Sequence, residues 1–164
     1  EYFGRKNYPF TQKRNKRIMK TITSILITMG LLLGMVPTKN EELSITVTVS
    51  GLRNENGYVM VALHNGETEF PGDDAFRVQS VEVKDGSVEL VFEKIPAGEY
   101  AIAVMHDENG NEELDFNSYG MPLEGYGFSN EAQGEMGPPD FSDAAFEVSE
   151  DTEAFVEVMY LGGY

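Results

Sequence analysis

The 164-residue sequence contains no cysteine. Disulfides, thiolate zinc sites, a cysteine nucleophile and a lipidated-cysteine anchor are therefore excluded. Histidine is nearly absent, with His64 and His106 alone, so acid–base chemistry near neutral pH has few candidates. Cations are scarce as well: 12 Lys and Arg stand against 28 Asp and Glu, a net charge of −16. Their distribution is uneven. Residues 1–40 hold eight cations and one acid, Glu1. Residues 41–164 are left with four cations and 27 acids, a net of 4 − 27 = −23. A body so charged has no basic surface with which to displace counterions from a nucleic-acid backbone. What remains is 41% apolar with 18 Phe and Tyr residues, the make-up of a globular chain rather than a disordered one. The length suits one domain of about 100–150 residues plus extras.

The basic segment reads as a leader. Met19 and Lys20 precede an apolar run, Ile22 to Val36, of 15 residues. That is the length of a signal-peptide core and falls short of the roughly 20 residues that span a bilayer. The expected organisation is an upstream extension over 1–18, a signal peptide over 19–40 and one β-sandwich domain over 41–164. An uncleaved anchor helix is the alternative. Either way the body is expected to be exported, to the periplasm or beyond, with no stable membrane span once the leader is removed.

From Leu43 the hydrophobic period becomes two. Leu43, Ile45, Val47 and Val49 alternate with Ser44, Thr46, Thr48 and Ser50, the pattern of a half-buried strand. Asn56-Gly57 marks a tight turn into Tyr58–His64, a stretch apolar on both faces and so a central strand. Val78–Lys84, Asp85-Gly86 and Ser87–Glu93 predict a hairpin with Val88, Leu90 and Phe92 facing inward. Glu99–His106, Ala145–Ser149 and Ala154–Leu161 complete seven strands. The expectation is an all-β fold, a seven-stranded antiparallel β-sandwich with one long ordered loop.

That loop, residues 107–143, has six glycines, three prolines and no sustained period. Loops of this length are uncommon unless functional or disordered. Leu114, Phe116, Tyr119, Met121, Leu123, Tyr126, Phe128 and Phe141 argue against disorder. At its start, Asp107, Asn109, Asn111, Glu113 and Asp115 recur at every second residue. Oxygen ligands so spaced in a tight loop converge on a hard cation, and Ca2+ is the expected ion. Asp107, Asn109 and Asn111 match positions 1, 3 and 5 of the EF-hand loop, Asp115 matches 9, and Glu113 offers a carbonyl at 7. Glu112 stands where that loop needs Gly, and Ser118 stands where it needs Glu, so a true EF-hand is not expected. Glu112 or Glu124 could add a ligand. An Asx-rich turn without metal is the alternative.

The stretches HDENGNEELDFNSYGMPLEGYGFSN and GPPDFSDAAFEV, with LSITVTVSGLRNENGYVMVALHN and IPAGEYAIAVMHDENGN, resemble the bacterial domain-of-unknown-function family 2141. The resemblance covers about residues 43–161. It implies a secreted, transthyretin-like or collagen-adhesin-B-like sandwich, immunoglobulin-like in outline, and no established activity. Members often carry Gly where this chain has Glu112.

Enzymatic signatures are thin. Ser129 lacks a G-x-S-x-G elbow, no glycine-rich phosphate loop follows a strand, and H-E-x-x-H is absent. A carboxylate pair cannot be chosen among 27 acids. The leading expectation is a non-enzymatic exported module whose Ca2+-stabilised loop presents residues 116–130 to an envelope protein or a carbohydrate. The expected surface comprises His106, Tyr119, Glu124, Tyr126 and Phe128. Two alternatives stand beside it: an enzyme using His106 with Asp107 or Glu124, and a metal-free structural envelope protein.

Overall fold

The computed structural model describes residues 42–84, 86–135 and 137–161. The expected leader over 1–40 and Asp85 of the expected turn lie outside them. Among the described residues, no helix is long and apolar enough to cross a membrane.

The strands are β1 (Leu43–Ser50), β2 (Tyr58–Asn65), β3 (Arg77–Glu82), β4 (Val88–Ile95), β5 (Gly98–Asp107), β6 (Gly125–Phe128), β7 (Phe146–Val148) and β8 (Thr152–Glu157). One four-residue helix, α1 (Phe141–Ala144), precedes β7. The first sheet has the order β4-β1-β8. The second has the order β3-β2-β5-β6, and β7 also pairs with β5. The fold is all-β, in two sheets that share one core. Ile45, Val47 and Val49 from β1 meet Val59, Val61 and Leu63 from β2, all fully buried, with Phe92, Ile95, Ile102 and Val156 around them. At roughly 25 cal/mol per Å2 of apolar surface removed from water, this cluster is the main favourable term.

Three features depart from the sequence expectation. The described residues contain eight strands rather than seven, because Gly125–Phe128 forms β6 inside the expected loop. Period-two reading misses it because Gly125 and Gly127 carry no side chain to alternate. The sheets are not wholly antiparallel, since β1 and β8 run parallel from Ile45↔Thr152 to Ser50↔Glu157. The hairpin across Asp85-Gly86 does not form as a paired ladder. β3 pairs with β2 in the second sheet and β4 with β1 in the first; among the described residues the two arms are linked by the isolated Lys84↔Ser87 bridge and by Gln79 Nε2, which donates to the Val91 carbonyl at 2.9 Å. The physical reason is burial. Val83 and Val88 both enter the shared core, so the chain turns a corner between sheets instead of folding back within one. A turn signal specifies reversal, and the partner of each arm is chosen by the longer-range ladders.

A smaller apolar cluster holds Ala101, Ala132 and Ala144, with Phe70, Phe128 and Phe141 packed against it. The Phe70 ring meets Phe128 at 5.8 Å and Phe141 at 6.0 Å, both edge-on. His64 packs edge-on against Phe70 at 5.2 Å. It is fully buried, its Nδ1 lies 3.3 Å from Thr68 Oγ1, and its Nε2 has no partner. Burial pushes this imidazole below its ordinary value, against a smaller opposing effect of a hydrogen bond with the Glu69 backbone. The folded state therefore favours neutral His64. Its contribution to stability is complete above the unfolded value, about 6.5, and is lost as pH falls through the lower folded value. We predict that chemical denaturation between pH 7.5 and 5 shows a loss of stability that is smaller in His64→Leu, which lacks the titrating group. Parallel pH profiles for the two proteins would refute this.

Candidate functional site

β5 delivers His106 and Asp107 to the mouth of the long loop, side by side and both buried. Strand alternation sends them to opposite faces. His106 is closed off on both ring nitrogens. Nε2 lies 2.8 Å from the Asn56 carbonyl oxygen, which can only accept, so Nε2 carries the proton and donates. Nδ1 lies 2.6 Å from the Tyr160 hydroxyl, which then donates to it. The same hydroxyl accepts from the Arg53 backbone N–H at 3.2 Å. Burial raises the Tyr160 phenol above its ordinary value. The histidine ties the chain near residue 56 to the chain near residue 160.

Asp107 acts on the loop backbone. Its Oδ1 accepts from the N–H of Gly110 at 2.7 Å and of Asn111 at 3.2 Å, and its Oδ2 accepts from the N–H of Glu112 at 2.9 Å. Asx turns follow: Asn111 N–H donates to Asn109 Oδ1 at 3.0 Å, and Glu113 N–H to Asn111 Oδ1 at 2.9 Å. The amide nitrogens of Asn109 and Asn111 then both point at Asp115 Oδ2, at 2.5 and 3.3 Å. Thus Asp107, Asn109, Asn111 and Asp115 are brought into one loop. Glu113 joins through its backbone N–H, and its side chain is exposed. Glu112 has φ +64, the left-handed conformation that favours Gly.

Glu124 is buried and closes the loop from the far end. Its Oε1 accepts from the Glu108 N–H at 2.9 Å and its Oε2 from the Asp115 N–H at 3.2 Å. Glu108 in turn pairs with Arg53, whose Nε lies 2.9 Å from Glu108 Oε1, and also receives Asn54 Nδ2. The Arg53 guanidinium holds the Glu108 carboxyl below the ordinary carboxylate range; partial burial opposes this and Asn54 adds to it. The guanidinium also sits 4.5 Å from the Tyr160 ring centre and donates to the Leu123 carbonyl at 3.2 Å. Sequence reasoning passed over Arg53, Glu108 and Tyr160. One signal was available: Arg53 is one of only four cations in the body.

The expected partner surface does not stay together. His106 and Glu124 are buried and engaged by the protein itself. Tyr126 and Phe128 on β6 are half-buried, with ring centres 5.9 Å apart, and Phe128 belongs to the smaller apolar cluster. Tyr119 alone of the five is open, at 87% exposure. Phe116 at 54%, Met121 at 44% and Leu123 at 41% accompany it at the end of the loop. A short bridge, Phe116↔Pro122, and the bond from Asn117 N–H to the Met121 carbonyl at 2.9 Å fold this segment back on itself.

The base of the site is held tightly enough to test. A Cβ on Gly57 would stand 1.9 Å from the Asp107 carbonyl oxygen, and one on Gly127 would stand 2.6 Å from the Glu157 carbonyl oxygen. Tyr126 and Met159 exchange backbone hydrogen bonds at 3.0 and 2.8 Å, joining β6 to the chain after β8. We predict that His106→Phe costs about 2–4 kcal/mol, because the Tyr160 hydroxyl and the Asn56 carbonyl both lose their partner. Urea denaturation measures it, and a change below 1 kcal/mol (on the order of one exposed hydrogen bond) refutes it. Glu112→Gly is expected to stabilise by about 0.5–1 kcal/mol, the relief of left-handed strain less the added chain entropy. Destabilisation in the same assay would count against that account.

Compared with known proteins, residues 47–155 match the family model of uncharacterized proteins conserved in bacteria, domain-of-unknown-function family 2141. No curated protein and no solved structure matches the chain. The match runs from the middle of β1 into β8 and takes in the loop with its flanking strands, so the chain belongs to this family of uncharacterized bacterial proteins.

Proposed function

We propose that the protein is an exported, non-enzymatic β-sandwich module whose Asp107–Asp115 loop closes on Ca2+ and holds the segment beyond it towards a partner in the cell envelope. We read the two sheets as a transthyretin-like sandwich. Their shared core supports that reading, with β6 as an addition to it. The observation that carries the functional reading is the convergence of the Asn109, Asn111 and Asp115 side chains beside Asp107. A left-handed Glu112 at the sixth loop position adds to it, since such loops place Gly there.

The donor set fits a weakly held Ca2+. Among the described residues, no three His, Cys, Asp or Glu side chains stand close enough to hold a metal ion. The carboxylates that engage the turn are those of Asp107 and Asp115. Asn109 and Asn111 Oδ1 each accept one backbone N–H and keep a second lone pair, as does Asp107 Oδ2. With the Glu113 carbonyl and water these make up the oxygens that Ca2+ takes. The ion would supply charge neutralisation to a loop that otherwise relies on amide donors. The non-enzymatic reading rests on His106 and Glu124, whose hydrogen-bonding atoms serve the protein's own backbone and Tyr160. A metal-free structural module is the second reading, favoured by the hydrogen bonds that already satisfy Asp107.

The test is thermal and chemical denaturation of the protein in Ca2+ and in EDTA. With affinity in the range of extracellular modules, about 0.1–1 mM, roughly 1 mM Ca2+ stabilises by about 0.4–1.4 kcal/mol. Asp115→Ala is expected to abolish the difference between the two conditions. No difference for the wild type, or an undiminished one in Asp115→Ala, would sink the metal reading.

A further inference from the structure

The end of the long loop concentrates exposed apolar surface. Phe116, Tyr119, Met121 and Leu123 fall within eight consecutive residues, and each is more than 40% exposed. Scattered single apolar residues need no explanation, but a contiguous group does. The group is also prearranged. Asn117 Oδ1 accepts from the N–H of Tyr119 at 2.9 Å and of Met121 at 3.1 Å, and Gly120 N–H donates to the Asn117 carbonyl at 3.0 Å. Leu123 N–H donates to the Asp115 carbonyl at 2.8 Å, and Arg53 holds the Leu123 carbonyl. Little order therefore remains to be imposed on binding.

We propose that this tip docks into an apolar cleft on a protein whose surrounding surface is cationic. The inference rests on the reading of the loop as a presenting element and names its partner's chemistry. Three observations select that partner. The tip is Phe, Tyr, Met and Leu, the first three enriched in protein–protein interfaces. Glu112, Glu113 and Asp115 flank it in the chain, and the body carries 27 acids against four cations, so a basic rim is attracted while an anionic bilayer or a second copy of the chain is repelled. A sugar needs polar groups beside the aromatic face. Both oxygens of Glu124 and both ring nitrogens of His106 are already engaged inside the protein, and Asn117 Oδ1 accepts two backbone N–H groups.

The test uses a synthetic amphipathic peptide of alternating Leu and Lys as a stand-in for such a surface, with a Ser/Lys peptide of equal charge as its control. Binding is followed by fluorescence anisotropy and by amide chemical shifts of the isotope-labelled protein. The expected result is that shifts centre on residues 116–123 and the Leu/Lys peptide binds at least tenfold more tightly than the control. Tyr119→Ser and the double change Phe116→Ser with Met121→Ser should each weaken binding tenfold or more, with melting temperatures held close to wild type. Equal affinity for the two peptides, shifts centred elsewhere, or undiminished binding by Tyr119→Ser would overturn the proposal. So would tip-dependent binding to phosphatidylcholine–phosphatidylglycerol vesicles or to chitotetraose with no preference for the Leu/Lys peptide. Each measurement is made in Ca2+ and in EDTA. Tip-dependent binding in both conditions upholds the docking proposal even where the Ca2+ reading has failed.

Discussion

A backbone amide taken out of water must find an acceptor, and that constraint shapes the region between β5 and β6. The chain there leaves the ladder, so its N–H groups cannot be satisfied by a neighbouring strand. Two buried carboxylates take over. Asp107 accepts three N–H groups of the loop that follows it, and Glu124 accepts one at each end of that loop. A carboxylate accepts several donors at once, and bonds to a charged acceptor are stronger than neutral ones. Two acidic side chains thus replace about a strand's worth of ladder with a compact, charged framework. Their negative charge is met by oriented amides, which a chain this poor in cations can supply without limit.

The scarcity of cations makes Arg53 disproportionately connected. It joins the loop after β1 to Glu108 at the start of the excursion, to the Leu123 carbonyl near its end and to the ring of Tyr160 after β8. Each contact alone is worth little at a partly exposed position. Together they bring four distant chain segments to one guanidinium, and the planar fork of Arg allows this where Lys would not. His106 repeats the theme from inside, linking Asn56 to Tyr160.

The strands were largely legible because burial on one face leaves a period of two. β1 and β4 follow the alternation in Leu43–Val49 and Val88–Phe92, and β2 follows the run Tyr58–His64, apolar on both faces as a central strand is. Pairing was less legible. The Asp85-Gly86 signal located a reversal between Val83 and Val88, yet both valines turn into the core and send the two arms to different sheets. β6 was hidden because Gly125 and Gly127 are selected by close approach to Tyr160 and to the Glu157 carbonyl, a requirement set by residues more than 25 positions away. In the loop, Asp107, Asn109, Asn111 and Asp115 of the alternating run lie in one turn, while the Glu113 side chain stays exposed. The run could not separate acceptors that face the backbone from groups that face outward, and so His106 and Glu124 were grouped with Tyr119. Burial divides them.

This division gives the loop two ends with different physical characters. At its base, the glycine contacts, the Tyr126–Met159 exchange and the His106–Tyr160 bond tie the excursion to β5, to β6 and to the chain after β8. At its tip, exposed apolar rings stand on a frame held by Asn117. Base and tip are joined through the Asp107–Asp115 turn, where Asp115 receives the two asparagine amides and its N–H reaches Glu124. A charge added at that turn acts on groups already fixed at the base, so its effect is to stiffen the turn rather than to build the fold. The apolar core sets global stability, and the turn sets how firmly the tip is held. On the proposed Ca2+ reading, that separation would let a weakly held ion act on presentation while contributing only a small part of the folding free energy.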